Sequence, residues 1–108
     1  MHEFECSAED LKRRLGGGEP LRLIDCREPW EFELVRLEGA ELIPMNETPG
    51  RIEEYRSADV PVVVYCHHGV RSMNVVGWLR DQGLKDVWSL AGGIDRWSLT
   101  IDPSVPRY

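Results

Sequence analysis

Between Val60 and Cys66 the chain reads VPVVVYC, apolar at almost every position and rich in β-branched valine. With no polar residue alternating through it, this run predicts a strand covered on both faces, the central strand of a parallel sheet. From Ser72 the period changes, and Val75, Val76 and Leu79 fall on one helical stripe that Gly83 ends. The same alternation recurs on either side. Ser7 and Asp10 have the spacing of a helix N-cap and its third-position partner, ahead of Leu11 and Leu15 and the stop at Gly16, Gly17 and Gly18. Leu21 to Cys26, between Pro20 and a charged REP, predicts a buried strand, and Pro29 opens a helical turn from Trp30 to Val35. Ala40 to Ile43 predicts a short strand closed by Pro44, and Arg51 to Arg56 a brief helix. Asp86 to Leu90 predicts another strand, and Ile94 to Ser98 a last helix after Gly92 and Gly93. Residues 99–108 carry two prolines and are expected to be irregular.

Strands and helices alternating in this way imply an α/β fold: an open, mostly parallel central sheet with helices on both faces, expected to form one domain over residues 1–108. Composition narrows what such a domain does. A net charge of −6 argues against nucleic acid or an anionic membrane surface as the main partner. The acidic start MHEFECSAED has no apolar leader and no stretch is long enough to span a bilayer, so a cytoplasmic location is expected. Three cysteines without a CxxC pair give no disulfide framework, and the adjacent His67 and His68 suit shared metal ligation poorly. No metal is expected.

The chemistry concentrates where the central strand ends, in the loop Cys66, His67, His68, Gly69, Val70, Arg71 and Ser72. Loops leaving the carboxyl ends of parallel strands line the ligand crevice of an open sheet. A glycine-bearing loop that runs into a helix can aim successive N–H groups inward as an anion nest, here with a sulfur at its centre. Such surroundings lower a cysteine pKa and favour the thiolate, so Cys66 is the expected nucleophile, with Ser72 expected to cap the helix.

C-x-x-G-x-R-S resembles the active-site loop of the rhodanese-like sulfurtransferases. The stretch LIDCREPWEFELVRLEGAELIPM is similar to that family's D-x-R-x-x-x-E segment and the G-A-x-x-I-P strand after it, here Asp25, Arg27, Glu31, Gly39, Ala40, Ile43 and Pro44. LAGGIDRW is similar to its G-G-x-x-x-W ending, here Gly92, Gly93 and Trp97. The resemblance, to the single-domain form, implies a sulfurtransferase that needs no cofactor. Cys66 would take a sulfane sulfur from a small-molecule donor such as thiosulfate, a persulfide or a polysulfide. It would carry the sulfur as a persulfide and pass it to a thiol, cyanide or protein acceptor. Alternatives are a non-catalytic or sulfur-relay module working in a partner complex, and a phosphatase or arsenate reductase. Related phosphatases use a longer C-x5-R loop, and the C-x4-R spacing of Cys66 to Arg71 favours a single sulfur over a phosphoryl group.

Around the loop, Asp25 and Arg27 are expected to orient it as a salt bridge, and Arg71 to add positive potential or to pair with an acidic neighbour. His67 and His68 stand where thiosulfate-using relatives often have fixed cations; their side chains are expected either to attract the donor or to lie solvated at the loop tip. Cys26, where relatives usually have an apolar residue, is expected to pack as a small apolar side chain, the alternative being that it resolves the persulfide. Cys6 is expected to be inert. Arg36 and Leu37 replace a common His-Ile pair, and Trp30, Trp78, Trp88 and Trp97 are expected to pack in the core or a lid.

Overall fold

The computed structural model describes residues 3–108; Met1 and His2, the first two positions of the acidic start read above for a leader, lie outside the described residues. Five strands, β1 (Glu5–Cys6), β2 (Arg22–Asp25), β3 (Glu41–Leu42), β4 (Val62–Tyr65) and β5 (Val87–Leu90), form one sheet in the order β1-β5-β4-β2-β3. Every pairing is parallel. The helices are α1 (Ala8–Gly16), α2 (Pro29–Leu34), α3 (Ile52–Arg56), α4 (Val70–Asp81) and α5 (Gly93–Thr100), with two 3-10 turns at Met45–Glu47 and Pro49–Arg51. Among the described residues no helix is long and apolar enough to cross a membrane.

The unbroken apolar run of β4 is explained by a core on each face. Val62, Val64 and Cys66 pack with Ile24, Cys26 and Val87 against Tyr55 of α3 and Val75, Val76 and Leu79 of α4. Val63 and Tyr65 face the other way, with Leu23 and Leu90, onto Ala8 and Leu11 of α1 and Ile94 of α5. Burying both faces of four valine and tyrosine side chains accounts for β4 having no solvent-facing position.

Local chemistry sets the helix starts. The Ser7 hydroxyl accepts the Asp10 N–H at 3.0 Å, which caps α1, and Pro29 begins α2 while the Glu28 N–H donates back to Glu31 at 3.0 Å. Some boundaries differ from the sequence reading. β1 was not anticipated, since a two-residue edge strand has no periodicity to detect. α4 begins at Val70, because Gly69 turns the chain at φ 103°, so Ser72 lies inside the first turn and does not cap it. Of the tail expected to be irregular over 99–108, Leu99 and Thr100 instead extend α5, while residues 101–108 are irregular yet fold back so that Val105 and Tyr108 join the α1/α5 side of the core.

After β2 the chain moves outward to β3, and it then returns to β4 on the other side of β2 before reaching β5. The strand order reverses between β2 and β4, and the crevice at their carboxyl ends is where open parallel sheets bind ligands.

Candidate active site

Cys66 is the first residue beyond β4, and its sulfur sits under the turn into α4. Sγ accepts the N–H of Gly69 at 3.1 Å and that of Ser72 at 3.3 Å, with the Ser72 hydroxyl 3.5 Å away. Two of the loop amides converge on the sulfur. The Cys26 thiol, turned toward Cys66, is the largest influence lowering the Cys66 pKa; burial opposes it, and the Ser72 hydroxyl and the two amides reinforce it. The net effect brings Cys66 down to about 5, so it is thiolate at neutral pH. Cys26 moves the opposite way, its thiol held protonated by donating to Cys66 and by burial. Both cysteines are only 1% exposed, so the sulfur lies covered beneath the loop.

The loop is fastened from below by α5. The N–H groups of Ile94 and Asp95 donate to the carbonyls of Cys66 at 2.9 Å and His67 at 3.1 Å. Gly92 and Gly93 make this approach possible, with φ of 76° and 61°, and a Cβ on Gly93 would lie within 2.5 Å of the His67 carbonyl oxygen. From the side, Ser89 of β5 meets the Ser72 hydroxyl at 2.7 Å, and Ser72 Oγ lies 3.2 Å from the Gly69 carbonyl. Neither serine is exposed to solvent.

A charged chain surrounds this cradle. Arg71 pairs with Glu31 through two bonds of 2.7 and 3.0 Å, so of its two expected roles the pairing is the one seen. Tyr108 donates its hydroxyl to Glu31 at 2.6 Å and accepts from Arg27 at 2.7 Å. Burial works to raise the Glu31 pKa, but the bonds from Arg71, Tyr108 and the Glu28 amide outweigh it and bring the carboxyl down to about 2. Asp25 and Arg27 form the expected salt bridge, with both side chains fully buried and bonds of 2.9 and 2.7 Å, and Arg27 also donates to the Val35 carbonyl at 2.5 Å. They reach the cysteine loop through Tyr108 and Glu31, and neither touches Cys66.

His67 is not a free loop tip. Its ring stacks on His68 and on Tyr108, each with centroids 3.9 Å apart, and burial followed by the neighbouring His68 lowers its pKa. His68 is 3.8 Å from Asp95, which Arg107 also holds at 2.8 Å. Donor atoms of His67, His68 and Asp95 lie within 4.8 Å of one another. Stacked rings direct their lone pairs side by side instead of toward one point, and Arg107 already occupies Asp95, so the group suits an ion-paired cluster better than a chelate. Val70 is 71% exposed beside the loop. A cleft of about 280 Å³, lined by Cys26, Glu28, Met45, Asn46 and Arg71, opens next to the cradle, whereas a larger one of about 500 Å³ lies among Tyr55, Val62, Leu84 and Val87 at the amino end of the sheet.

Sequence reading missed Ser89, Tyr108 and the part played by Glu31. A serine inside the buried VWSL strand was a detectable signal, and Glu31 lay within the quoted acidic motif. Nothing in an irregular segment pointed to Tyr108.

A parallel sheet with a cysteine cradled at its switch point is the arrangement of the rhodanese-like proteins, and the chain belongs to that family: the Rhodanese-like domain matches residues 7–100. Relatives include the Rhodanese-like/PpiC domain-containing protein 12, chloroplastic, of Arabidopsis thaliana, 40% identical over 90 residues that cover 81% of this chain and 30% of that protein. The chain is also 39% identical, over 69% of its own length and 70% of the relative's, to a protein of Haemophilus influenzae named Thiosulfate sulfurtransferase GlpE. It thus spans less than a third of the Arabidopsis protein and about seven tenths of the Haemophilus one. Among solved structures, a Rhodanese-like Domain Protein from Staphylococcus aureus superposes with a TM-score of 0.80 at 26% identity, covering 96% of this chain and 97% of that one.

Proposed function

We propose that this domain is a sulfurtransferase in which Cys66 takes a sulfane sulfur from a donor, holds it as a persulfide and delivers it to a nucleophilic acceptor. The observation that carries this reading is the convergence of the Gly69 and Ser72 amides on Sγ at 3.1 and 3.3 Å. A thiolate held by preorganised donors is a ready nucleophile, and the same N–H groups face the terminal sulfur once it is loaded. The short turn between Cys66 and Gly69 encloses one sulfur closely, and relatives named sulfurtransferases agree with that chemistry. The donor enters from the cleft beside Cys26, Met45 and Arg71. Because Glu31 already neutralises Arg71, and burial keeps His67 from charging, a thiosulfate dianion meets little free positive charge. A singly charged persulfide donor therefore fits the site better than thiosulfate.

Incubating the reduced protein with thiosulfate, a low-molecular-weight persulfide and a polysulfide, followed by intact-mass measurement, tests the reading. One added sulfur on Cys26→Val, where no second thiol stands beside Cys66, and none on Cys66→Ala is expected. Failure of all three donors to add a sulfur would overturn it.

A further inference from the structure

The transfer cycle uses one thiol, but a second stands beside it. β2 and β4 run parallel in the register Ile24↔Val64 and Asp25↔Tyr65, and the Cys26 N–H donates to the Tyr65 carbonyl at 3.0 Å. One position further on, that register sets Cys26 opposite Cys66. Both residues share a sheet face with Ile24 and Val64, while Leu23, Val63 and Tyr65 point the other way. Neighbouring strands lie about 4.8 Å apart, inside the range of roughly 4.4–6.8 Å between Cα atoms that a disulfide spans. Each cysteine is also the first residue past its strand, so its side chain can turn without breaking a ladder bond. Cys26 lines the cleft of about 280 Å³ beside the loop, the proposed way in for a sulfur donor.

We propose that Cys26 is a second catalytic thiol: it attacks Sγ of the Cys66 persulfide, closes a Cys26–Cys66 disulfide and expels the outer sulfur as hydrosulfide. The domain would thereby release sulfide without an external acceptor. This rests on the persulfide reading above. The step balances as Cys66–S–S⁻ plus Cys26–SH giving Cys66–S–S–Cys26 plus HS⁻. The bond between the two persulfide sulfurs breaks, the Cys26 proton leaves on the hydrosulfide, and the sulfane sulfur is reduced by the two electrons the cysteines give up. A dithiol reductant then restores both thiols by exchange. In the resting protein the anionic Cys66 keeps Cys26 protonated and idle. Loading makes Sγ neutral and moves the charge one bond outward, which removes that restraint and presents Cys26 with a good leaving group. An external acceptor must then compete with Cys26, so the partition between transfer and release is set inside the protein.

The test uses Cys6→Ser as background, so that only the two site thiols react, and compares it with Cys6→Ser/Cys26→Val under anaerobic conditions. One equivalent of persulfide donor is added with no acceptor, and hydrosulfide and intact mass are followed. The expected result is about one hydrosulfide per chain and a product lighter than the reduced protein by two hydrogens when Cys26 is present. In the Cys26→Val protein the persulfide should persist and hydrosulfide release fall by about tenfold or more. Equal persulfide lifetimes in the two proteins would overturn the proposal. A second arm replaces the donor with a methanethiosulfonate, which places a methylthio group on Cys66 whether or not sulfur loading occurs. Cys26 should displace methanethiol and give the same oxidised product, while the Cys26→Val protein keeps its adduct, which also shows that its site is folded and reactive. Formation of the disulfide in this arm alone supports attack by Cys26 and sinks the persulfide reading. Its formation in neither arm sinks the second thiol.

Discussion

Replacing Ser72 by alanine removes one hydroxyl with three neighbours: Cys66 Sγ at 3.5 Å, the Gly69 carbonyl at 3.2 Å and Ser89 Oγ at 2.7 Å. Ser89 is fully buried, so the substitution leaves its hydroxyl without the Ser72 partner and away from water. A stranded buried hydroxyl together with the lost bond costs about 2 kcal/mol. For a chain of this length that lowers Tm by roughly 8–10 °C. Removing both groups should be less damaging than removing one, and Ser72→Ala/Ser89→Ala should recover about 1 kcal/mol of the loss. The sulfur responds separately. It keeps both amides and the Cys26 thiol but loses an O–H donor, so its ionisation midpoint should rise by about one pH unit from the value near 5. Thermal melts of the wild type, both single variants and the double variant give the stability cycle. Thiolate absorbance in the ultraviolet, checked by iodoacetamide alkylation rate against pH, gives the midpoint. A double variant no more stable than Ser72→Ala, or a midpoint that stays put or falls, would refute the reasoning.

Cys66→Ala should fold, and its stability gap from the wild type should depend on pH. The folded pKa lies below the unfolded one, so the stabilisation from ionising Cys66 is fully present above about 9 and is lost as pH falls through about 5. Urea midpoints compared at pH 5, 7 and 9 should show the gap widening upward, and a constant gap would contradict the assigned pKa. Gly93→Ala places a Cβ against the Cys66 and His67 carbonyls at a left-handed φ. It should lower stability by about 2–3 kcal/mol in denaturant melts and slow alkylation of Cys66 relative to wild type. Asp25→Asn leaves the fully buried Arg27 charge without its carboxylate, a loss of about 3–5 kcal/mol that should appear as a large fall in the urea midpoint.

The elements that carry the largest apolar burial were the ones legible from the amino-acid pattern. A valine run covered on two faces leaves an unmistakable signature, which is why β4, the helix after it and the cysteine at their junction were found. β1 lacked that signature because two edge residues bury too little to impose a pattern. The start of α4 was misplaced because a serine in a first turn looks like a cap, whereas this one turns its hydroxyl inward to sulfur and to Ser89. Asp25 and Arg27 were read correctly as a salt bridge, since two opposite charges that close together at a strand end must find partners. The extension of that pair through Tyr108 and Glu31 to Arg71 joins residues up to 81 positions apart, and no local spacing encodes it.

The clamp between the cysteine loop and the start of α5 is made of peptide groups: amides of Ile94 and Asp95 grip carbonyls of Cys66 and His67 across a pair of glycines. Those two bonds involve no side chain; the His68–Asp95 pair at 3.8 Å is a separate contact across the same seam. Substitutions at positions 67, 68 and 70 can therefore alter the rim of the loop while its backbone anchoring persists. On the proposed sulfur-transfer reading, donor selectivity and Cys66 reactivity are separately mutable, and new donors are reachable by varying the rim alone.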